Sequence, residues 1–598
     1  MISMNDVIKT RLTQLRGILR REKLSAFIFP STDPHNGEYV PDRWKGREWV
    51  SGFNGSAGTV VVTLDAAALW TDSRYFISAA QQLEGTGIEL MRLKMPETPT
   101  IPQWIGRKLS QCERPEVGID GMVNSVETVE SLIWELRRQG GITVRTNFDP
   151  LAEAWKDRPG VPDNKICIHP IEYAGVEACD KIALVRKTLA ERHVDGMLIS
   201  ALDDIAWILN LRGADVHCNP VFVSYLLLSQ NSATLYINSE KVPADVEEYL
   251  LRQGVKTDQY GNVAKGIADY REYNILLDPG ETSYSLFKAV RRAKTVSEKS
   301  PVPALKAIKN KVEIEGFRNA MLKDGIAMVK FLKWLKPAVA KGGETEMSLD
   351  RKLTALRAEQ PLFRDISFDT IAGYGEHAAI VHYEATSETD IPVEPHGMIL
   401  IDSGAQYLDG TTDITRTIAL GPVTDYEKHI YTLVLKGHIQ LELCKFPKGA
   451  AGTQMDILAR QAMWQEGLNY LHGTGHGVGS YLNVHEGPHQ FRMEWMPAPF
   501  VEGMTVTDEP GIYLPGRFGV RIENTMIVEK YKETEFGEFL QFDSLTLCPI
   551  DTAPIDKEML LPEETAWLNS YHRKVYDTIA PHLDEPEREW LKEATKAI

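Results

Sequence analysis

The sequence predicts a multidomain chain of mixed α/β class, and three observations carry that prediction. The first is length: 598 residues exceed what one ordinary core organises, so two to four domains are expected. The second is an α/β unit that occurs twice in the first half. The third is a pair of similar strand–turn–strand segments in the second half, each bearing acidic residues.

Taken in order, residues 9–30 read as a helix followed by a strand. Leu12, Leu15, Ile18 and Leu19 recur at helical spacing, and Ala26-Phe27-Ile28-Phe29 is a short apolar run ending at Pro30. Residues 49–58 read as a glycine-rich turn into a strand over 59–63. A phosphate-binding role for that turn is disfavoured, because no Gly-Lys-Ser/Thr ending follows. Residues 181–200 restate the opening at an offset of 170. Leu184, Val185 and Leu189 precede Val194-Asp195-Gly196-Met197-Leu198-Ile199, and 207–213 stands in the place of the Trp49 segment. Two copies of one α/β unit therefore fill residues 1–310, joined at the Pro/Gly-rich span 158–163. After Ser300-Pro301-Val302-Pro303, Ile314, Phe317, Met321, Met328, Phe331, Leu332 and Leu335 form the apolar stripe of a long helix, a core-packing pattern. Near the end, 545–550 reads as a strand. Pro562-Glu563-Glu564 then opens a helix with Leu568, Tyr571, Val575 and Ile579 on one face.

Composition narrows the function classes. Hydrophobic content of 43% and charged content of 25% are those of a globular chain. A net charge of −17 argues against nucleic acid or an anionic membrane as partner. Residues 1–24 are broken by charges and lack the apolar core of a signal peptide. No other stretch is long and apolar enough to span a bilayer, so a cytoplasmic location is expected. The six cysteines are scattered without a Cys-x-x-Cys pair, which disfavours structural zinc or a disulfide framework.

The chemistry lies between residues 402 and 523. Asp402 ends the run Met398-Ile399-Leu400-Ile401; a tight 404–410 segment follows, and a returning strand brings back Asp413. Gly503-Met504-Thr505-Val506-Thr507-Asp508 resembles Gly397-Met398-Ile399-Leu400-Ile401-Asp402, and Glu523-Asn524-Thr525 resembles Asp413-Ile414-Thr415. Two similar halves place Asp402, Asp413, Glu509 and Glu523 at a shared centre. His476 joins them from His472-Gly473-Thr474-Gly475-His476-Gly477. The spacing of His472 and His476 matches a His-Glu-x-x-His zinc helix. Gly473 replaces the glutamate, however, and each glycine weakens a helix by up to about 1 kcal/mol relative to alanine, so a strand or loop is expected. One acidic residue at a strand end reads as a solvated turn residue; five such ligands together read as a metal centre. Four carboxylates and an imidazole without thiolate suit Mn, Co, Fe or Zn. Bridging carboxylates let them hold two ions about 3.5–4 Å apart with a hydroxide nucleophile between.

These residues resemble the pita-bread metallopeptidases of family M24, which include methionine aminopeptidase, prolidase and aminopeptidase P, with creatinase a metal-free relative. The Xaa-Pro branch is indicated by His382, the His472–His476 motif, His485-Glu486-Gly487-Pro488 and Glu509-Pro510-Gly511-Ile512-Tyr513. Similarity runs through nearly the whole chain and is greatest to the long, three-domain cytosolic aminopeptidases P. It implies creatinase-type N-terminal α/β domains at 1–158 and 159–310, a pita-bread catalytic domain at 311–534, and a C-terminal extension at 535–598 packed on it.

The resemblance also implies roles. Asp402, Asp413, His476, Glu509 and Glu523 hold the metals. Asp413 and Glu523 bridge them, Asp402 lies near the substrate's amino group, and Glu509 is the base. His382 and His485, which alone would read as structural, lie beside the scissile carbonyl as oxyanion donors or proton carriers. His472 lies near the proline-side pocket. Arg521, two before Glu523 and so on its face of a strand, either orients the carboxylates or joins these histidines in binding substrate, the former preferred. His377, His396 and His489 are expected to be structural.

The expected protein is therefore a dinuclear aminopeptidase that releases the first residue from peptides with proline second. Manganese is the expected metal, with Co2+, Zn2+ or Fe2+ as alternatives, and a homodimer is implied by resemblance alone. Such bonds call for a dedicated enzyme because proline has no N–H, a fixed φ and slow cis–trans exchange. Prolidase, acting on Xaa-Pro dipeptides, is the alternative that the ligands do not separate; the duplicated N-terminal half and the extension favour aminopeptidase P. Creatinase chemistry and a non-catalytic binding protein are disfavoured because all five ligands are present.

Overall fold

The computed structural model describes residues 3–598, and the mixed α/β class is borne out. The chain forms two compact units: one runs to His169 and includes Val176–Val302, and the other joins Pro170–Gly175 to Pro303–Ile598. No helix among the described residues is long and apolar enough to cross a membrane.

The first unit contains two six-stranded sheets of identical topology. In one, Ala26–Pro30 is central, antiparallel to Thr59–Thr63 and parallel to Glu116–Ile119. In the other, Gly196–Ile199 is antiparallel to Tyr225–Ser229 and parallel to Asn274–Leu276. Ala67–Thr71 with Glu89–Arg92 extend one side of the first sheet, as Ala233–Tyr236 with Lys256–Asp258 extend the second. The repeat is thus a repeat of strand order and direction. Met4–Arg21 begins at Ser3, whose side chain accepts the Asp6 N–H, and buries Ile8, Leu12, Leu15, Ile18 and Leu19.

One local expectation in this unit changes. The Trp49 stretch opens as the helix Gly46–Ser51, closed by Gly52 at φ +76°, and only its remainder is a turn. Buried Arg47 winds that turn by donating to the carbonyls of Phe53 and Gly55. The counterpart helix Leu202–Leu209 also ends in a left-handed residue, Asn210.

The second unit is built on the long helix Lys311–Lys341, which starts at a capping box between Asn310 and Glu313 and buries the predicted stripe from Phe317 to Leu335. Against it pack a three-stranded sheet (Ile371–Tyr374, Met398–Ser403, Ile414–Ala419) and a four-stranded sheet in the order Lys445–Pro447, Gly537–Ser544, Asn524–Thr534, Thr505–Asp508. The predicted helix Pro562–Ile579 buries Leu568, Tyr571, Val575 and Ile579. Residues 545–550, however, are not a strand. The carbonyls of Cys548 and Pro549 accept from Arg416, that of Thr546 accepts from Tyr571, and proline has no N–H to offer a ladder. The 404–410 segment is also more than a tight turn, since the strand Ala405–Tyr407 within it pairs with Gly410–Thr411 at its end.

Candidate metal centre

Two antiparallel strand pairs in the second unit bring the acidic residues together. Pairing of Met398–Ser403 with Ile414–Ala419 sets Asp402 opposite Thr415, with Asp413 just outside the returning strand. Pairing of Thr505–Asp508 with Asn524–Thr534 sets Asp508 opposite Asn524, so Glu509 and Glu523 lie just outside the strand ends. The threonines matched in the sequence repeat lock the halves reciprocally. Thr415 Oγ1 donates to Glu523 Oε2 at 2.7 Å, and Thr525 Oγ1 donates to the Asp413 carbonyl at 3.1 Å. The Glu523 N–H donates to the Thr415 carbonyl at 3.0 Å.

His476 enters on the short strand Gly475–Gly477 rather than a helix. A side chain at Gly475 would meet the Thr507 carbonyl at 1.9 Å, so only glycine lets this strand lie so close to Thr505–Asp508. Nδ1 of His476 donates to the Gly477 carbonyl at 2.8 Å, which leaves the Nε2 lone pair facing Asp413 Oδ2 at 3.5 Å and Glu509 Oε1 at 3.6 Å. The Glu509 N–H is tied to the Thr474 carbonyl at 2.7 Å.

The electrostatics fit cations. Ligand atoms of Asp413, His476 and Glu523 lie within 4.8 Å of one another, all buried in one group. Asp402 Oδ1 is buried and has no hydrogen-bond partner. Burial, then Asp402 and Glu509, push the Asp413 pKa well above the usual carboxylate range; burial, then Asp413 and Asp402, do the same to Glu523. Crowded carboxylates, an orphaned oxygen and an imidazole lone pair aimed inward are the donor set of a site for divalent ions.

Arg521 organises one wall. Its Nη2 and Nε donate to Asp402 Oδ2 at 2.6 and 3.1 Å, Nη1 donates to the Tyr513 hydroxyl at 2.7 Å, and Nη2 reaches the Val381 carbonyl at 3.3 Å. These bonds direct the guanidinium to Asp402. Arg521 ends the strand Phe518–Arg521, whereas Glu523 lies in the link before Asn524–Thr534; the two do not share one strand. His472 donates through Nδ1 to the Gly473 carbonyl, so its Nε2 accepts the Tyr513 hydroxyl at 2.8 Å. A hydrogen-bonded chain thus runs from His472 through Tyr513 and Arg521 to Asp402.

His485 meets the His476 ring edge-on, with centroids 4.3 Å apart. Its neighbour Glu486 forms a buried ion pair with Lys309. His382 is partly buried on the loop after Gly375–Ala379, next to the Val381 carbonyl that Arg521 holds. Three other histidines stand apart from the ligands: His377 bonds Glu346, His396 meets Tyr374, and burial lowers His489 to a pKa of about 4.

Three supports escaped sequence reasoning. Buried Arg416 binds the Thr415 and Glu523 carbonyls and reaches Asn524 and Tyr571. Asp456 and Arg460 hold the glycine-rich stretch through Thr474 Oγ1 and the Tyr470 and His472 carbonyls. His438 Nδ1 sits 3.1 Å from Asp508 Oδ2 behind Glu509. An arginine inside the otherwise uncharged run 414–420 was the one available signal for Arg416; the others carry none.

Comparison with known proteins agrees with this geometry. Residues 315–530 match Metallopeptidase family M24, 11–146 and 157–313 match the Creatinase/Prolidase N-terminal domain, and 538–598 match the C-terminal region of peptidase M24. Aminopeptidase P1 of Arabidopsis thaliana is 38% identical over 98% of this chain and 99% of its own. A probable Xaa-Pro aminopeptidase P of Ajellomyces dermatitidis is 39% identical over the same shares. The crystal structure of X-prolyl aminopeptidase from Caenorhabditis elegans, described as a cytosolic enzyme with a di-nuclear active site, superposes with a TM-score of 0.94 at 34% identity, covering 99% of this chain and 100% of that one. An Xaa-Pro dipeptidase from Bacillus anthracis superposes with a TM-score of 0.51 at 26% identity, covering 63% of this chain and 99% of its own. Two creatinase-type domains, a pita-bread catalytic domain, and full-length relatives of one kind leave one classification: the chain belongs to the Xaa-Pro aminopeptidase family, within metallopeptidase family M24.

Proposed function

We propose that this protein is a dinuclear metal-dependent Xaa-Pro aminopeptidase that hydrolyses the bond between an N-terminal residue and a following proline. The observation that carries the reading is the meeting of Asp402, Asp413, His476, Glu509 and Glu523 at one locus, with Asp402 Oδ1 buried and unpartnered. Asp402, Asp413, His476, Glu509 and Glu523 would hold two divalent ions, with manganese the first expectation, which when bound would lower the pKa of a water and polarise a carbonyl. Of these, Asp413 and Glu523 would be the carboxylates shared between the ions. The Glu509 carboxylate takes up the proton of the attacking water. His382 and His485 donate to the oxygen that gains negative charge. Asp402, oriented by Arg521, lies toward the substrate's amino group, and His472 with Tyr513 borders the proline side.

Aminopeptidase P is favoured over prolidase by extent. The C. elegans aminopeptidase matches this chain throughout, whereas the B. anthracis dipeptidase spans only 63% of it. The second α/β copy and the C-terminal segment fit the longer enzyme. The domain limits 1–158, 159–310, 311–534 and 535–598, a cytoplasmic location and a homodimer belong to the same reading.

The test is cleavage by the Mn-loaded protein of an Arg-Pro-Pro-type peptide, an Xaa-Pro dipeptide and an Xaa-Ala peptide. Release of only the first residue from the longer peptide is expected. Activity confined to the dipeptide would mean prolidase, and no bound metal with no cleavage would end the enzyme reading.

A further inference from the structure

We propose that Glu346 is a positioning residue for His382, acting from beneath the loop that carries it. Glu346 opens the helix Glu346–Ala358, outside the stretch that holds the metal ligands, and its side chain is wholly buried. Among the described residues no lysine or arginine pairs with it. Its partners all belong to one short segment of chain. Oε1 accepts the Tyr374 N–H at 2.8 Å, Oε2 accepts the Tyr383 hydroxyl at 2.7 Å, and His377 Nδ1 lies 3.0 Å from both oxygens. The His377 and Tyr383 rings also pack together at 4.5 Å. One carboxylate therefore binds the segment at its start, its middle and the residue immediately after His382.

The opposite face of the segment is fixed by backbone contact. A side chain at Gly519 would meet the Ala378 carbonyl at 1.8 Å, so the turn Gly375–Ala379 lies directly on the strand Phe518–Arg521. That strand ends in Arg521, which holds the Val381 carbonyl at 3.3 Å and Asp402 at 2.6 Å. His382 thus sits between Val381, anchored to the metal-centre wall, and Tyr383, anchored to Glu346. The Glu346 bonds raise the His377 pKa and favour its protonated form, which strengthens the grip. A donor aimed at a developing oxyanion acts only when held within a fraction of an ångström, and this double anchorage provides that constraint.

The inference rests on the proposed role of His382, and the test separates the two. Turnover of an Xaa-Pro peptide, KM and bound metal are measured for wild type, His382→Ala, Glu346→Gln, Gly519→Ala and both double variants with His382→Ala. His382→Ala is expected to lower kcat on the order of 100-fold; near-normal turnover would refute the role given to His382. Glu346→Gln sets an amide N–H against the His377 or Tyr383 donor, and is expected to lower kcat about tenfold, with bound metal unchanged. In the His382→Ala background the same change is expected to cost less than about twofold. An undiminished loss there would show that Glu346 serves stability alone, and would overturn the inference. Gly519→Ala displaces the segment from its other face and is expected to show the same dependence on His382. Should Glu346→Gln fail to fold, Gly519→Ala and Tyr383→Phe decide the matter by the same comparison.

Discussion

Replacing Arg416 by Met is the sharpest probe of how the metal centre is held. The guanidinium is 1% exposed and donates to the carbonyls of Thr415, Glu523, Cys548 and Pro549 at 2.6–3.1 Å. It also meets Asn524 Oδ1 and the Tyr571 hydroxyl, each at 2.9 Å. Methionine keeps the bulk of the chain but removes the guanidinium donors; the Thr415 carbonyl keeps the Glu523 N–H, and the single Tyr571 hydroxyl proton serves only one of the Cys548 carbonyl and Asn524 Oδ1, so the remaining acceptors are stranded. Stranding several of them is expected to destabilise the catalytic unit by about 3–5 kcal/mol, because the losses within one network do not add fully. At about 2.1 cal/mol/K of unfolding entropy per residue, a unit of about 300 residues should lose about 5–8 °C in Tm. Release of the Glu523 backbone should also weaken metal binding about 10–100-fold, as loss of a ligand's support does elsewhere. Calorimetry of the metal-loaded protein reads the first effect, and metal titration with elemental analysis reads the second. A Tm within about 2 °C of wild type together with unchanged metal affinity would refute the account, since the acceptors would then be satisfied some other way.

Three further outcomes are expected. Tyr513→Phe breaks the chain from His472 to Arg521 and should lower kcat/KM on the order of tenfold while two metals remain bound; loss of metal would instead make Tyr513 a support of Asp402. His377 has its pKa raised by the Glu346 hydrogen bond, opposed by burial, with Glu376 adding to the rise. Its charged form therefore stabilises the fold fully below the unfolded value of about 6.5, and that stabilisation is lost as pH rises through the folded value. The stability gap between wild type and His377→Gln should shrink from pH 6 to pH 9, as chemical denaturation would show; a constant gap would rule the ion pair out. Removing metal with a chelator should lower the melting of the catalytic unit and leave that of the N-terminal unit unmoved, since the crowded carboxylates lie in one unit only. A shift of both transitions would count against that independence.

Much of the architecture was legible because it is written in local periodicity. The opening helix and strand, their copy 170 residues on, and the long helix beginning at Lys311 each bury one face, and a buried face leaves its spacing in the chain. The proposed ligands were legible as well, since four carboxylates next to strand ends and a histidine in a glycine-rich stretch are a chemical pattern before they are a spatial one. Local reading failed where partners are distant. Residues 545–550 are as apolar as a strand, but an arginine over 100 positions earlier takes their carbonyls. The Trp49 stretch reads as a turn because its helix spans only six residues, is closed by the Gly52 N–H donating to the Glu48 carbonyl, and runs straight into a turn whose Phe53 carbonyl accepts from Arg47.

The sequence by itself determined the class of fold, the duplicated N-terminal unit, the metal-binding chemistry and the family. Tertiary structure alone decided which side chains hold that chemistry in place. Arg416, Arg521 with Tyr513, and Glu346 act through hydrogen bonds whose two ends lie up to 155 residues apart. Only the folded chain brings such ends within 3 Å, and no local pattern records an arrangement that exists only after the strands have paired.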